Sequence, residues 1–181
     1  MIQTMHSHTD LEPSAWVTRW APLFRPGGEV LDLACGAGRH ARWLARMGFE
    51  VSAVDRDTGA FGDPPPGVAV LGADLEGGPW PYPGVAFDGI VVTNYLHRPL
   101  LPILVGALVP GGVLVYETFA RGNERFGKPS NPAFLLEPGE LLEAVRGHLR
   151  VLAYEDLVVD SPRPAAIQRI CARREPGNAP P

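Results

Sequence analysis

VLDLACGAGRHARWLARMGFEVSAVDRD, residues 30 to 57, holds a strand, a glycine turn, a helix and a second strand in immediate succession. Val30 to Ala34 is an apolar run of the length and branching of a buried strand. Gly36 and Gly38 supply a turn, Arg39 to Met47 a helix closed by Gly48, and Phe49 to Val54 the next strand. Read as Gly36-x-Gly38-x-x-Ala41 with an acid 19 residues beyond Gly36 at Asp55, the stretch meets the dinucleotide fingerprint. That pattern combines a tight turn, close backbone approach, a small residue for helix packing and an acid for a ribose. Asp32 departs from it. An acid inside the first strand, where a dinucleotide site keeps apolar residues, calls for a cationic or amine-bearing ligand over the strand end.

Outward from this unit the alternation continues. Upstream, a helix opened by Glu12 and Pro13 places Trp16, Val17, Trp20, Leu23 and Phe24 on one face. Downstream, Val68 to Leu71 and Phe87 to Thr93 are further strands, the latter nearly all apolar, as suits a strand covered on both faces. Leu100 to Leu108 forms a helical stretch, Pro110 to Gly112 a turn, Val113 to Thr118 a fifth strand, and Gly139 to Gly147 another helix. Leu149 to Tyr154 and Ala166 to Ala172 close the chain as a hairpin. The pattern predicts a Rossmann-like, doubly wound α/β fold: a mainly parallel seven-stranded sheet whose last strand is antiparallel. One crossover is anomalous. RDTGAFGDPPPG, between Asp55 and Val68, carries three consecutive prolines and no helix can form there. A sheet face left open at this second crossover points to a homodimer or to an exposed apolar patch.

At 181 residues the chain is one domain, expected over 13 to 174, with flexible tails over 1 to 12 and 175 to 181. Sixteen basic against twenty acidic residues give a net charge of −4, which argues against a nucleic-acid partner. Two cysteines make neither a disulfide framework nor a zinc site, and no metal is expected; His6 and His8 are read as part of a polar tail. No apolar run approaches the length of a membrane span, and a cytoplasmic setting fits.

Asp74, in GADLEGG, follows Asp55 by 19 residues, so that three acids end three successive strands. A ligand with an amine, a ribose diol and an exocyclic amine presents donors at three separated points, and carboxylates accept them. The stretch 30 to 57, with Asp74, resembles motif I and the second and third strands of class I S-adenosylmethionine-dependent methyltransferases, whose pattern is acid-x-Gly-x-Gly-x-Gly. Asp32, Ala34, Gly36 and Gly38 occupy those positions. Ala34 replaces the first glycine, which is tolerable where φ is negative. By the resemblance, Asp32 anchors the methionine amino group and the Cys35 to Gly38 backbone packs on S-adenosylmethionine. Asp55, with Arg56 beside it, takes the ribose hydroxyls. Asp74 reads the adenine amine between Ala73 and Leu75, and Asn94 lies after the fourth strand. More narrowly, Tyr116 to Phe119 with the segment up to Pro138-Gly139-Glu140-Leu141 is similar to the tellurite-resistance (TehB-like) branch of small thiol or metalloid methyltransferases.

Methyl transfer is an in-line displacement needing alignment and, for weakly acidic acceptors, a base. Tyr95 and His97 are the catalytic candidates; packing and helix capping are the competing readings. His40, Glu117 and Arg121 are candidates for the acceptor side, where Arg121 with Arg125 and Lys128 would hold an anion; an exposed basic loop, and a surface or packing role for His40, are the competing readings. Asn94 is followed by Tyr95 rather than Pro-Pro-aromatic, which with the net charge favours a small acceptor: a thiol, a metalloid oxyanion or a hydroxyl. Cys35 and Cys171 read as packing residues, and Trp80 or Tyr82 as possible closers of the pocket. A non-catalytic S-adenosylmethionine-binding module and an NAD-dependent oxidoreductase are the alternatives to a methyltransferase.

Overall fold

A computed structural model describes residues 12 to 177. Seven strands form one sheet: β1 (Glu29–Leu33), β2 (Glu50–Asp55), β3 (Val68–Gly72), β4 (Phe87–Thr93), β5 (Leu108–Phe119), β6 (Arg150–Val159) and β7 (Ala165–Arg173). Their order is β3-β2-β1-β4-β5-β7-β6, with β7 antiparallel to both neighbours and the other pairs parallel. Four short α-helices accompany it among the described residues: α1 (Ala15–Trp20), α2 (Arg39–Arg46), α3 (Leu101–Gly106) and α4 (Glu140–Val145). Six of the seven β4 residues are buried, as a strand with core on both faces requires. On one face α1 and α2 pack Trp16, Val17 and Leu44 against Val30, Val91, Val115 and Cys171. On the other, α3 and α4 bring Leu104, Leu141 and Val145 against Leu31, Ile90, Val92 and Tyr116.

Several elements depart from the pattern read in the sequence. Helix α1 starts at Ala15, not at Glu12, because the Ser14 hydroxyl caps it by accepting from the Trp16 amide at 3.1 Å. It unwinds into a 3-10 turn at Ala21–Leu23, which leaves Leu23 36% exposed rather than on the buried face. Pro110 to Gly112 is not a turn: β5 runs through it from Leu108, with Gly111 at φ +84° and a slip in the β4 register between Phe87 and Gly89.

Two crossovers lack helices, where the sequence marked one. In the second, Phe61 replaces the helix; it is 2% exposed, with the Arg42 guanidinium 4.8 Å from its ring. The third crossover, residues 73 to 86, is also non-helical, because Gly77, Gly78 and Gly84 alternate with Pro79, Pro81 and Pro83. Here Trp80 and Tyr82 do the covering. Their rings meet edge-on at 5.7 Å, and Tyr82 meets Phe87 at 5.5 Å. Both rings therefore seal the sheet instead of closing the pocket. The edge strand β3 still exposes Ala69 and Leu71, a narrow strip.

Glu12 and residues 175 to 177 are the only parts of the expected tails that are described, and Glu175 pairs with Arg150 at 3.6 Å rather than standing free. The remainder of both tails, with His6 and His8, lies outside the described residues. Among those described, no helix is long and apolar enough to cross a membrane, and no group of His, Cys, Asp and Glu could hold a metal ion.

Candidate functional site

The carboxyl ends of β1, β2, β3 and β4 meet around an open cavity of about 140 Å³. Its wall is Ala34, Asp55, Arg56, Asp74, Leu75, Glu76 and Tyr95. Backbone hydrogen bonds set the glycine turn beneath it. The Cys35 amide donates to the Val54 carbonyl at 3.0 Å, the Gly38 amide to the Cys35 carbonyl at 2.8 Å, and the Gly36 amide to Asp55 Oδ2 at 2.9 Å. Asp55 Oδ1 accepts from the Asp57 amide at 3.0 Å. Each oxygen of Asp55 thus holds one backbone donor and keeps acceptor capacity for a diol. Asp74 Oδ1 accepts from the Glu76 amide at 3.0 Å, and that bond, with the Gly77 amide, holds its carboxyl below the usual range. A side chain on Gly36 (φ +54°) would point into open space, so the backbone there is bare for a ligand's approach. Glu76 was not anticipated, although it stands in the same GADLEGG segment as Asp74.

Ala34 has φ +55°, the left-handed region, and not the negative φ that would make an alanine indifferent there. Ala34→Gly is expected to relieve about 1 kcal/mol of strain, offset by part of that in chain entropy. Urea unfolding should show the variant as stable as the native chain or up to about 1 kcal/mol more so; a clear loss of stability would refute the strain.

Asp32 lies below the turn, not on the cavity wall: it is 1% exposed, and Oδ2 accepts from the Ala41 amide at 2.9 Å. Burial pushes its pKa up to about 7, against the opposing pull of the Ala41 amide and Arg39. His40 is likewise interior. Its Nε2 accepts from the Ser14 amide at 3.1 Å, Nδ1 stands 3.5 Å from the Thr93 hydroxyl, and burial with the nearby Arg39 lowers its pKa to about 3. The two groups act oppositely on stability. Asp32 binds more protons folded than unfolded between about pH 4 and 7, so its contribution falls as pH rises through that window; the His40 contribution falls as pH drops below 6.5. Asp32→Asn removes the first slope. The stability of native protein minus variant should decline by about 1.4 kcal/mol per pH unit between pH 4 and 7 in denaturant titrations, and a flat difference would count against it.

Tyr95, expected as catalytic, stands on the cavity wall. Its carbonyl accepts from the buried Tyr116 hydroxyl at 2.8 Å, while its own buried hydroxyl makes no hydrogen bond. Burial, reinforced by Glu76, Asp74 and Asp55, pushes its pKa up to about 12. It is a donor at neutral pH, not a base. His97 is half-buried, caps nothing with its side chain, and lies near enough to Asp74 to help lower that carboxyl's pKa. Asn94 adopts φ +54°, and its amide donates to the Glu117 carbonyl at 2.9 Å. Ala73 donates its amide to the Asp55 carbonyl at 3.0 Å.

The acceptor-side candidates are occupied. Glu117 Oε1 accepts from the Ser14 hydroxyl at 2.7 Å and Oε2 from Arg169 at 3.1 Å, while Arg121 pairs with Glu137 at 2.8 Å. Gly38 (φ +79°) is held close by the Phe61 ring rather than bared for a ligand. Cys35 and Cys171 are buried with thiols pushed up to about 12, as packing residues should be.

This strand order, with one antiparallel strand and acids ending its first strands, is the fold of class I S-adenosylmethionine-dependent methyltransferases. Residues 11–63 match the family model for tellurite resistance protein TehB, so the glycine-turn unit is TehB-like. TehB from Haemophilus influenzae superposes with TM-score 0.71 at 18% identity, over 95% of this chain and 64% of that one. The chain thus spans a little under two thirds of that protein's length. An S-adenosylmethionine-dependent methyltransferase from Mesorhizobium loti (TM-score 0.67, 20% identity) is covered over 100% of its length by 91% of this chain. The N-methyltransferase NodS from Bradyrhizobium japonicum gives TM-score 0.67 at 17% identity, over 87% of this chain and 93% of that one. No curated protein matches the sequence.

Proposed function

We propose that the protein is an S-adenosylmethionine-dependent methyltransferase of a small-molecule acceptor, a thiol, a metalloid oxyanion or a hydroxyl. The observation that carries this reading is the cavity into which Asp55 and Asp74 together turn acceptor capacity beside a bare glycine turn. Its donor set fits the group: paired acceptors for a diol at Asp55, an acceptor for an amine at Asp74, apolar walls from Ala34 and Leu75, and an orphaned hydroxyl at Tyr95. When bound, S-adenosylmethionine supplies an electrophilic methyl on a sulfonium. Asp55 holds the ribose end, Asp74 with Leu75 the adenine end, and Asp32 stiffens the turn through the Ala41 amide. Tyr95 donates a hydrogen bond into the cavity and orients what lies there. His97, beside the same β4 turn, is the group available to take a proton.

Calorimetric titration tests this. Saturable binding of S-adenosylhomocysteine, with none of NAD, is the expected result, and the reverse would assign the site to a dinucleotide. Turnover across thiols, oxyanions and phenols then separates an enzyme from a binding module. A homodimer through the open β3 face would rest on Leu71, 40% exposed, and Leu71→Asp should then shift the sedimentation coefficient to that of a monomer.

A further inference from the structure

The cavity lies among the carboxyl ends of β1 to β4, which leaves the side toward β5, β7 and β6 for the acceptor. That side is bounded by the turn after β4, the excursion after β5, the end of β6 and the start of antiparallel β7. Every half-buried guanidinium there is already matched by a carboxylate. Arg98 donates to both oxygens of Glu140 at 2.6 and 2.9 Å and to the carbonyls of Ala133 and Leu135. Arg169 bridges Glu117 at 3.1 Å and Glu155 at 2.6 Å; Arg121, exposed like its partner, pairs with Glu137. Asp156, bonded to Gln168 at 3.2 Å, adds a further negative charge. Arg125, Lys128 and Arg163 are also on this side, but exposed, where solvent and salt screen them.

We propose that this side admits an uncharged acceptor and turns away inorganic oxyanions, a thiol being the class that fits best. The inference rests on the methyltransferase reading. An oxyanion bound at Arg98 or Arg169 would have to draw the guanidinium away from its carboxylate, leaving Glu140, Glu117 or Glu155 partly buried and unpaired. It would also approach the neighbouring cavity, where Asp55, Asp74 and Glu76 outnumber the one cation, Arg56. The choice of thiol over hydroxyl follows from the bases present. Tyr95 stays protonated and His40 is tied to Ser14, which leaves His97 as the remaining imidazole near the cavity, and a thiol, being far more acidic than an alcohol, asks less of a base. In the transfer, a lone pair on the acceptor sulfur forms the new bond to the methyl carbon as the bond from that carbon to the sulfonium sulfur breaks. The electron pair of the broken bond stays on the former sulfonium sulfur, leaving a neutral thioether, and the thiol proton passes to His97 or water.

The test begins with S-adenosylhomocysteine titration; failure to bind overturns the cofactor reading and leaves the charge argument distinguishable from it. On the loaded protein, sodium selenite is titrated by calorimetry, with amide shifts of residues 94 to 98 followed by NMR. The native chain should show no saturable selenite binding below about 10 mM. Glu137→Gln and Glu140→Gln, which release Arg121 and Arg98, should gain selenite affinity by about tenfold or more, with circular dichroism checking that each is folded. With S-adenosylmethionine, 2-mercaptoethanol should be methylated faster than selenite or tellurite. Saturable binding of selenite to the native chain below about 10 mM, unchanged affinity in both folded variants, or faster methylation of either oxyanion would each overturn the proposal.

Discussion

Asp55→Ala is expected to raise the dissociation constant for S-adenosylhomocysteine by about 100-fold or more. Two charged hydrogen bonds to a ribose diol contribute on the order of 3 kcal/mol together, and the variant loses both. It also loses the acceptors of the Gly36 and Asp57 amides, so the turn that must approach the ligand is no longer held. Asp55→Asn keeps one acceptor and should fall between, with about a tenfold weakening. Calorimetry on both variants checks this, with unfolding curves to show that the chain remains folded at the titration temperature. A constant for Asp55→Ala within threefold of the native value would remove Asp55 from the site.

Gly38→Ala should destabilise the protein strongly for so small a substitution. The left-handed conformation at Gly38 costs an L residue about 1–2 kcal/mol, and a Cβ there would overlap the Phe61 ring, for about 1–3 kcal/mol more. The expected loss is thus about 2–5 kcal/mol, a large part of a marginal domain's stability. In a Phe61→Ala background the overlap term vanishes and only the backbone cost remains. A double-variant cycle measured by urea unfolding should therefore show coupling of about 1–3 kcal/mol. Equal costs of Gly38→Ala in the two backgrounds would show that Phe61 does not set the requirement for glycine.

The value of that pair lies in what it says about the trimmed fold. Glycine at position 38 is legible in the sequence as part of a ligand-binding turn, yet its near neighbour is the side chain standing in for a missing helix. Pro64 to Pro66 forbid that helix in the sequence itself. What fills the space is a matter of packing, and Phe61 gave no local signal of it. The third crossover is a similar case. Its Gly and Pro alternation was visible, but Trp80 and Tyr82 looked like pocket residues because they lie near Asp74 in the chain. Their rings turn instead to Phe87 and the sheet.

The site residues divide along the same line. Asp55 and Asp74 were readable because strand ends in a parallel sheet face one crevice, so spacing along the chain maps onto position around the ligand. His40 and Glu117 were readable only as polar residues near that crevice. Their partners, Ser14 at a distance of 26 and 103 residues, belong to a helix cap that spacing could not connect to them. Glu76 escaped because an exposed acid after a strand is ordinarily a solvated one.

By itself, then, the stretch from Val30 to Asp57 determined the strand order's beginning, the glycine turn and the acids at the strand ends, since periodicity and backbone conformation are local properties of the chain. Tertiary structure alone decided which charges remain available. Arg121 reads in sequence as a cation for an anionic acceptor and in space pairs with Glu137, while Arg98 and Arg169, which the sequence does not single out, are neutralised by Glu140, Glu117 and Glu155. The pairing joins residues 14 to 52 positions apart, and a Coulombic contact depends on distance in space, not along the chain.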